Sequence, residues 1–321
     1  MRLGVIGCGA VTEYFHLPAL AELAAPTEVW LVDPELERAR TLAARIGARS
    51  AASHEGLELD AAIVAVPNHL HAELATELLE RGVHVLCEKP LARSADEARP
   101  VVAAAGPAVL AVGNFRRHFQ STQVVRDVLA AELCGPVLGF EAVEGFVYAW
   151  GTTSGYSLDR GRAGGGVLLD LGAHVLDQLR LWLGELDVRA YRDDAHGGLE
   201  ADCVVELANG TLELSRTREL GSEARIRCER GTIVAPLARS GLVSIELEGA
   251  EPYTLESDGS ADGGYAAAFA AQLHDFLEAV RGRGVPGASG ADGVAVLEVV
   301  DACYAAREPL AERWVTETLP L

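Results

Sequence analysis

Five short apolar runs, at residues 3–6, 29–32, 61–66, 83–87 and 108–112, alternate with segments at 36–46, 71–81 and 94–105 whose apolar side chains recur every three or four positions. A strand that is apolar at every position has no side for water, so both of its faces must be covered. Helices placed between such strands supply the cover and oblige successive strands to run parallel. Residues 1–115 are therefore predicted to form a doubly wound parallel α/β domain.

From residue 116 the pattern changes. A helix is predicted at 120–131, ending near Gly135-Pro136, followed by an alternating strand at 137–147, an irregular stretch at 150–163 and a helix at 166–183. Between residues 188 and 257 strands follow one another directly. Asn209-Gly210 is a strong two-residue hairpin signal, and Arg230-Gly231 and Gly249-Ala250 supply further turns, so an antiparallel meander is expected. Helices at 265–281 and 293–306 close the chain. Residues 116–321 are predicted to be a second, α+β domain.

Charge and cysteine usage narrow the partners. With 27 basic against 47 acidic residues the net charge is −20, a surface that repels nucleic acid and anionic membranes. The six cysteines are scattered without a CxxC pair, which suits reduced core residues better than a disulfide framework or a zinc site. No apolar run approaches the ~18 residues of a membrane-spanning helix. The chain opens on a strand-like run and not on a signal peptide. A cytoplasmic location is expected.

Gly7-Cys8-Gly9-Ala10-Val11-Thr12 follows the first apolar run and opens a helical segment. The first glycine permits a tight turn, and the second lets backbone approach a pyrophosphate at a helix N-terminus. Thr12 holds the third glycine position, so the fingerprint is incomplete. Asp33 ends the second run, where a carboxylate can accept ribose hydroxyls and repel a 2′-phosphate; this favours NAD, while nearby Arg38 leaves room for NADP. Asp33 as a helix cap before Pro34 is the structural alternative. Pro67, Asn68 and His71 follow the run at 61–66, and Glu88-Lys89-Pro90 follows the run at 83–87. Ligands of open parallel sheets bind at such carboxyl ends. His69 and His71 lack a third or fourth ligand, so no metal site is predicted.

Lys89 is the one lysine of the chain, set against 26 arginines. Its compact ammonium suits hydrogen bonding or proton transfer at a reacting oxygen better than a planar guanidinium does. Farther on, Asp170, His174 and Asp177 stand at i, i+4 and i+7, one face of an otherwise apolar helix. A polar stripe on a buried helix is either an internal network or functional; for Asp177 the internal network is preferred. Gly172 suggests that something approaches that helix closely. Arg116, Arg117, His118, Arg160 and Arg162 are candidate anion contacts or paired surface cations. Tyr148, Trp150 and Tyr156 are a candidate stacking wall or plain edge packing.

Gly7-Cys8-Gly9, Pro67-Asn68 with His71, Glu88-Lys89-Pro90 and the run from Gly164 through Asp170 and His174 to Asp177 together make the chain resemble the Gfo/Idh/MocA oxidoreductases, typified by glucose–fructose oxidoreductase and inositol 2-dehydrogenase. The resemblance spans essentially the whole chain. It implies a Rossmann domain binding NAD, with NADP possible, through Gly7, Cys8, Gly9, Ala10, Val11, Asp33, Pro67, Asn68, His71, Glu88 and Lys89. It also implies a C-terminal domain with a large, mainly antiparallel open-faced sheet used to form a homo-oligomer, dimer or tetramer. Catalytic roles fall to Lys89, Asp170 and His174: His174 as acid/base, Lys89 polarising the reacting oxygen, Asp170 orienting His174 or a substrate hydroxyl. The expected reaction moves a hydride between nicotinamide and a secondary alcohol or ketone of a sugar, cyclitol or related polyol. A redox-neutral, NAD-dependent glycoside hydrolase and a non-catalytic dinucleotide-binding regulator are the alternatives.

Overall fold

The computed structural model describes residues 1–22, 28–149, 155–195, 198–239, 241–247, 249–255 and 264–310. The chain divides into two compact units: Met1–Phe119 with Trp150–Gly164 and Ser260–Glu298, and Gln120–Ala149 with Gly165–Gly259 and Val299–Leu321.

In the first unit, β1 (Arg2–Ile6), β2 (Glu28–Val32), β3 (Arg49–Ala51), β4 (Ala61–Val64), β5 (His84–Cys87) and β6 (Leu110–Val112) form a six-stranded sheet in the order β3-β2-β1-β4-β5-β6. Every neighbouring pair is parallel. Leu3, Val5, Ile63, Val85 and Leu86 are 0% exposed, as apolar residues on both faces of covered strands must be. Helices Leu36–Ile46, His71–Glu80 and Ala95–Ala104 stand where the periodicity places them, the last capped by Ser94, which accepts from the Glu97 amide. The apolar pattern misses β3, a short edge strand carrying Arg49 and Ser50 that needs no apolar run.

Strand order positions the site. The chain starts at β1, builds outward to β3, then crosses back to place β4 on the other side of β1. Loops leaving the carboxyl ends of β1 and β4 therefore diverge and open a crevice between them. The helix Gly264–Val280, remote in sequence, closes this unit: Phe269, Leu273, Phe276 and Leu277 join the core of Leu3, Leu31 and Ile63. Phe269 stacks on Phe15 at 5.0 Å and on Phe115 at 4.6 Å, contacts worth about 0.5–1.5 kcal/mol each beyond their buried area.

Burial holds two histidines of this unit, His118 and His84, below the ordinary histidine range. These rings are neutral in folded and unfolded chain alike above that range. Below about 6.5 the unfolded chain takes up protons that the folded one does not, so stability falls as pH falls, by at most about 1.4 kcal/mol per pH unit for the more buried ring, His118, and by less for His84. The melting temperature is expected to drop between about pH 7.5 and pH 5.5; a flat profile across that window would refute the assignment.

In the second unit β7 (Val137–Gly145), β8 (Val188–Asp193), β9 (Asp202–Leu207), β10 (Gly210–Ser215), β11 (Gly221–Cys228), β12 (Gly231–Pro236), β13 (Val243–Leu247), β14 (Tyr253–Leu255) and β15 (Arg307–Pro309) form a nine-stranded sheet, ordered β14-β13-β12-β11-β7-β10-β9-β8-β15. It is mainly antiparallel, but β7 runs parallel to β10 and β15 parallel to β8. The expected simple meander is thus corrected: β7 separates β10 from β11, because the connection between them passes the end of β7, where the Leu220 amide donates to the Gly145 carbonyl at 3.1 Å. The hairpin turn falls on Ala208-Asn209, one residue earlier than predicted, with Gly210 already in β10 paired to Leu207. Gly210 is needed there because a Cβ would lie 2.3 Å from the Phe140 carbonyl oxygen.

In β11, Ala224, Ile226 and Cys228 point inward while Glu223, Arg225 and Arg227 face out, so this part of the sheet has one apolar and one charged side. Helices Gln120–Ala130 and Ala173–Leu183 lie side by side, tied where Gln178 Nε2 and Trp182 Nε1 both donate to Thr122 at 2.9 Å. Among the described residues no helix is long and apolar enough to cross a membrane.

Candidate active site

Five loops of the first unit meet at the carboxyl edge of its sheet. Gly7 ends β1 with φ +100°, and a Cβ there would lie 2.2 Å from the Ala65 carbonyl oxygen, so only glycine makes this turn. Gly9 is different: nothing lies within 4 Å of the place its Cβ would occupy. That open space, at the start of the helix running on through Ala10 and Val11, fits close approach by a phosphate group. Thr12 is fully buried and donates from its hydroxyl to the Gly7 carbonyl at 2.6 Å. The missing third glycine is thereby replaced by a side chain that braces the turn, at the start of a wide π-helical turn, Thr12–His16.

Asp33, after β2, does both things weighed from sequence. One carboxylate oxygen accepts from the Cys8 amide and the other from the Glu35 amide, each at 2.9 Å. It fastens the glycine turn and caps the following chain, and lone pairs remain for a further donor. The Cys8 side chain is buried, and burial with the Asp33 charge pushes its thiol up to about 12; only its backbone serves the turn.

The loops after β4 and β5 are tied from below. Asn68 Nδ2 donates to the Ala163 carbonyl at 2.9 Å. The buried His71 ring has its two nitrogens 2.7 Å from the carbonyl oxygens of Pro90 and Val66, linking the two loops. Glu88 is turned inward: one oxygen lies 2.7 Å from His16 Nε2, the other accepts from the Lys89 amide at 3.3 Å. Gly113, after β6, has no room for a Cβ, which would fall 2.7 Å from the Glu88 carboxylate. His71 and Glu88 therefore shape the loops that carry Pro67 and the half-buried Lys89. The sequence holds no sign of His16, which becomes relevant only when the turn Thr12–His16 brings its ring to the Glu88 carboxylate.

In the second unit, Asp170 lies in a π-helical turn, Leu168–Gly172, and His174, 8% exposed, begins the regular helix after it. Asp177 is buried in the same helix. Gly172 is approached by Leu214 of β10, whose Cδ1 would be 2.8 Å from a Cβ. Asp170 forms an ion pair with Arg216, a residue sequence reasoning missed because its partner is 46 positions away. The Arg216 guanidinium also lies over the Tyr148 ring, 4.6 Å from its centre. The turn carrying Arg216 is fixed: Asp202 accepts from Thr217 Oγ1 at 2.5 Å and from Arg218 at 3.1 Å. Burial works against the Asp202 charge, but the surrounding hydroxyls and Arg218 hold its carboxyl below the usual range.

The cation clusters are placed as well. Arg117 is buried, donating to the Gly287 carbonyl at 2.6 Å and pairing with Asp292 at 3.1 Å, so it anchors the first unit internally. Arg116 is buried too. Arg160 is exposed and Arg162 half-buried in the short helix Arg160–Ala163. Tyr148 belongs to the second unit and Tyr156 to the first; Trp150 lies outside the described residues.

Comparison with known proteins is consistent along the chain. A family model described as an oxidoreductase family with an NAD-binding Rossmann fold matches residues 1–113, and that of the family's C-terminal alpha/beta domain matches residues 148–316. The 1,5-anhydro-D-fructose reductase of Ensifer adhaerens is 28% identical, covering 91% of this chain and 92% of its own. The dTDP-3,4-didehydro-2,6-dideoxy-alpha-D-glucose 3-reductase of Streptomyces violaceoruber is 31% identical, covering 94% of each. Among solved structures, a levoglucosan dehydrogenase in complex with NADH and levoglucosan superposes with a TM-score of 0.84 at 22% identity over 95% of this chain and 96% of that one, a likeness of fold.

Proposed function

The chain belongs to the Gfo/Idh/MocA oxidoreductase family, and from that premise we propose a nicotinamide-dependent dehydrogenase that interconverts a secondary alcohol and a ketone on a sugar, cyclitol or related polyol. The names of the relatives, a reductase of anhydrofructose and a reductase of a nucleotide-linked deoxysugar, support the substrate class.

Gly7, Cys8, Gly9, Ala10 and Val11 hold the cofactor's phosphates through backbone, and Asp33 accepts from the ribose, which favours NAD over NADP. Pro67, Asn68 and Lys89 line the loops beyond, held in place by His71 and Glu88. A bound nicotinamide supplies the two-electron acceptor or donor. The protein's own residues handle the proton. His174 takes it from the substrate hydroxyl, and Lys89 donates a hydrogen bond to the same oxygen as negative charge builds there.

The ion pair of Asp170 with Arg216 carries this division of labour. A carboxylate already matched by a guanidinium serves as a fixed acceptor for a substrate hydroxyl, which leaves the imidazole one turn along to move the proton. We further propose that the working enzyme is a cytoplasmic homo-oligomer associating through its nine-stranded sheet, as the resemblance to the family implies.

Absorbance at 340 nm is the direct test, with purified protein, NAD or NADP, and a panel of polyols, cyclitols and nucleotide sugars. Reduction of NAD in preference to NADP by one such alcohol, lost in His174→Asn, is the expected result. Sugar release from a glycoside with no net cofactor turnover would replace this reading with the redox-neutral one. Tight cofactor binding with neither reaction would make the protein a regulator.

A further inference from the structure

Two glycines of the run Gly164-Gly165-Gly166 are explained by residues far along the chain. A Cβ on Gly165 would lie 2.1 Å from the Tyr304 hydroxyl, and one on Gly166 would lie 2.0 Å from the Glu200 carbonyl oxygen. Both glycines are bare because Tyr304 and the Glu200 backbone sit directly upon them.

Glu200, 2% exposed, then collects the opening amides of the helix that follows. Its Oε1 accepts from the Gly166 amide at 2.8 Å, the Leu168 amide at 3.2 Å and the Tyr304 hydroxyl at 2.7 Å. Its backbone carbonyl accepts from the Val167 amide at 2.9 Å. Three successive first-turn donors thus end on one residue, with a negative charge at the positive end of the helix. The charge is matched on its other side: Arg307 lies 3.4 Å from Oε2, pairs with Asp193 at 2.6 Å and spreads over the Tyr304 ring at 4.6 Å from its centre. Burial and the Glu200 charge push the Tyr304 phenol upward, so it remains a donor.

We propose that Glu200, held by Tyr304 and Arg307, is a positioning residue that fixes the opening turn of the helix carrying Asp170 and His174. Asp170 follows directly, its amide donating to the Gly166 carbonyl at 3.0 Å, and His174 comes one turn later. Glu200 touches neither of them; it acts by denying the first turn a second arrangement. Glutamine keeps one acceptor oxygen but loses the charge at the helix start and turns an N–H₂ group toward either the amides or Arg307. Tyr304→Phe removes one hydrogen bond with little change of shape.

The inference rests on the dehydrogenase reading for its catalytic consequence, so its test has a readout that does not. The His174 imidazole signal, assigned by its loss in His174→Asn, is followed by NMR in wild type, Glu200→Gln and Tyr304→Phe. Both variants are expected to move that signal and its titration midpoint while cofactor affinity stays unchanged. Turnover in Glu200→Gln should fall by about tenfold or more with KM for cofactor unaltered, and in Tyr304→Phe by less. A His174 signal that stays put in both variants, with only the melting temperature lowered, would overturn the proposal, and Tyr304→Phe decides alone should Glu200→Gln not fold. A shifted signal in a protein that oxidises no alcohol would support the positioning role and refute the dehydrogenase reading instead.

Discussion

Replacing Lys89 by arginine is expected to leave a folded protein that binds its cofactor normally and turns over about 10²–10⁴-fold more slowly. The charge is conserved, so long-range attraction for the cofactor's phosphates does not change. What changes is shape: a planar, five-donor fork replaces a single ammonium on a flexible stem, at the end of a loop whose path is set from beneath. Glu88, the preceding residue, is committed to His16 and to the Lys89 amide, and His71 links the Pro90 and Val66 carbonyls, so the backbone has little freedom to accommodate a longer head group. Separate measurement of cofactor affinity by fluorescence and of turnover at 340 nm divides the two effects. Turnover within about threefold of wild type in Lys89→Arg would remove Lys89 from the reacting centre.

Gly7→Ala and Gly9→Ala are expected to fail in opposite ways. At Gly7 a methyl group meets the Ala65 carbonyl oxygen at 2.2 Å, and φ of +100° is itself unfavourable for an L-residue. Both β1 and the chain leaving β4 would have to shift, a loss of about 3 kcal/mol or more and a melting temperature lower by about 10 °C. At Gly9 the same methyl group meets nothing within 4 Å, so the fold is expected to melt as wild type does. It would instead occupy the space a phosphate needs, and NAD affinity should fall by at least about tenfold. Calorimetry and cofactor titration on the pair settle the matter. Undiminished affinity in Gly9→Ala would mean that the cofactor does not lie against this turn.

Much of the first unit is legible in the sequence because covered parallel strands leave a local mark. Each of β1, β2, β4, β5 and β6 must be apolar on both faces, and the helix Leu36–Ile46 must turn one apolar stripe inward, so pattern and structure agree within two residues at their ends. The polar edge strand β3 leaves no such mark. In the second unit the hairpins are written locally in turn residues, but the insertion of β7 between β10 and β11 is a pairing between distant segments, invisible to any window of sequence.

The candidate site divides in the same way. Sequence by itself determined the kinds of groups available: the glycine turn, the lone lysine, and an aspartate and a histidine four residues apart on one helix, each a consequence of short-range spacing. Only the tertiary structure decided what those groups are tied to. His16 reaches Glu88, Arg216 reaches Asp170, and Glu200 and Tyr304 rest on Gly166 and Gly165, across separations of 72, 46, 34 and 139 residues. Such contacts depend on strand order and on helices closing over a sheet, and a charge or hydroxyl acquires its partner only once the backbone has brought the two within hydrogen-bond reach.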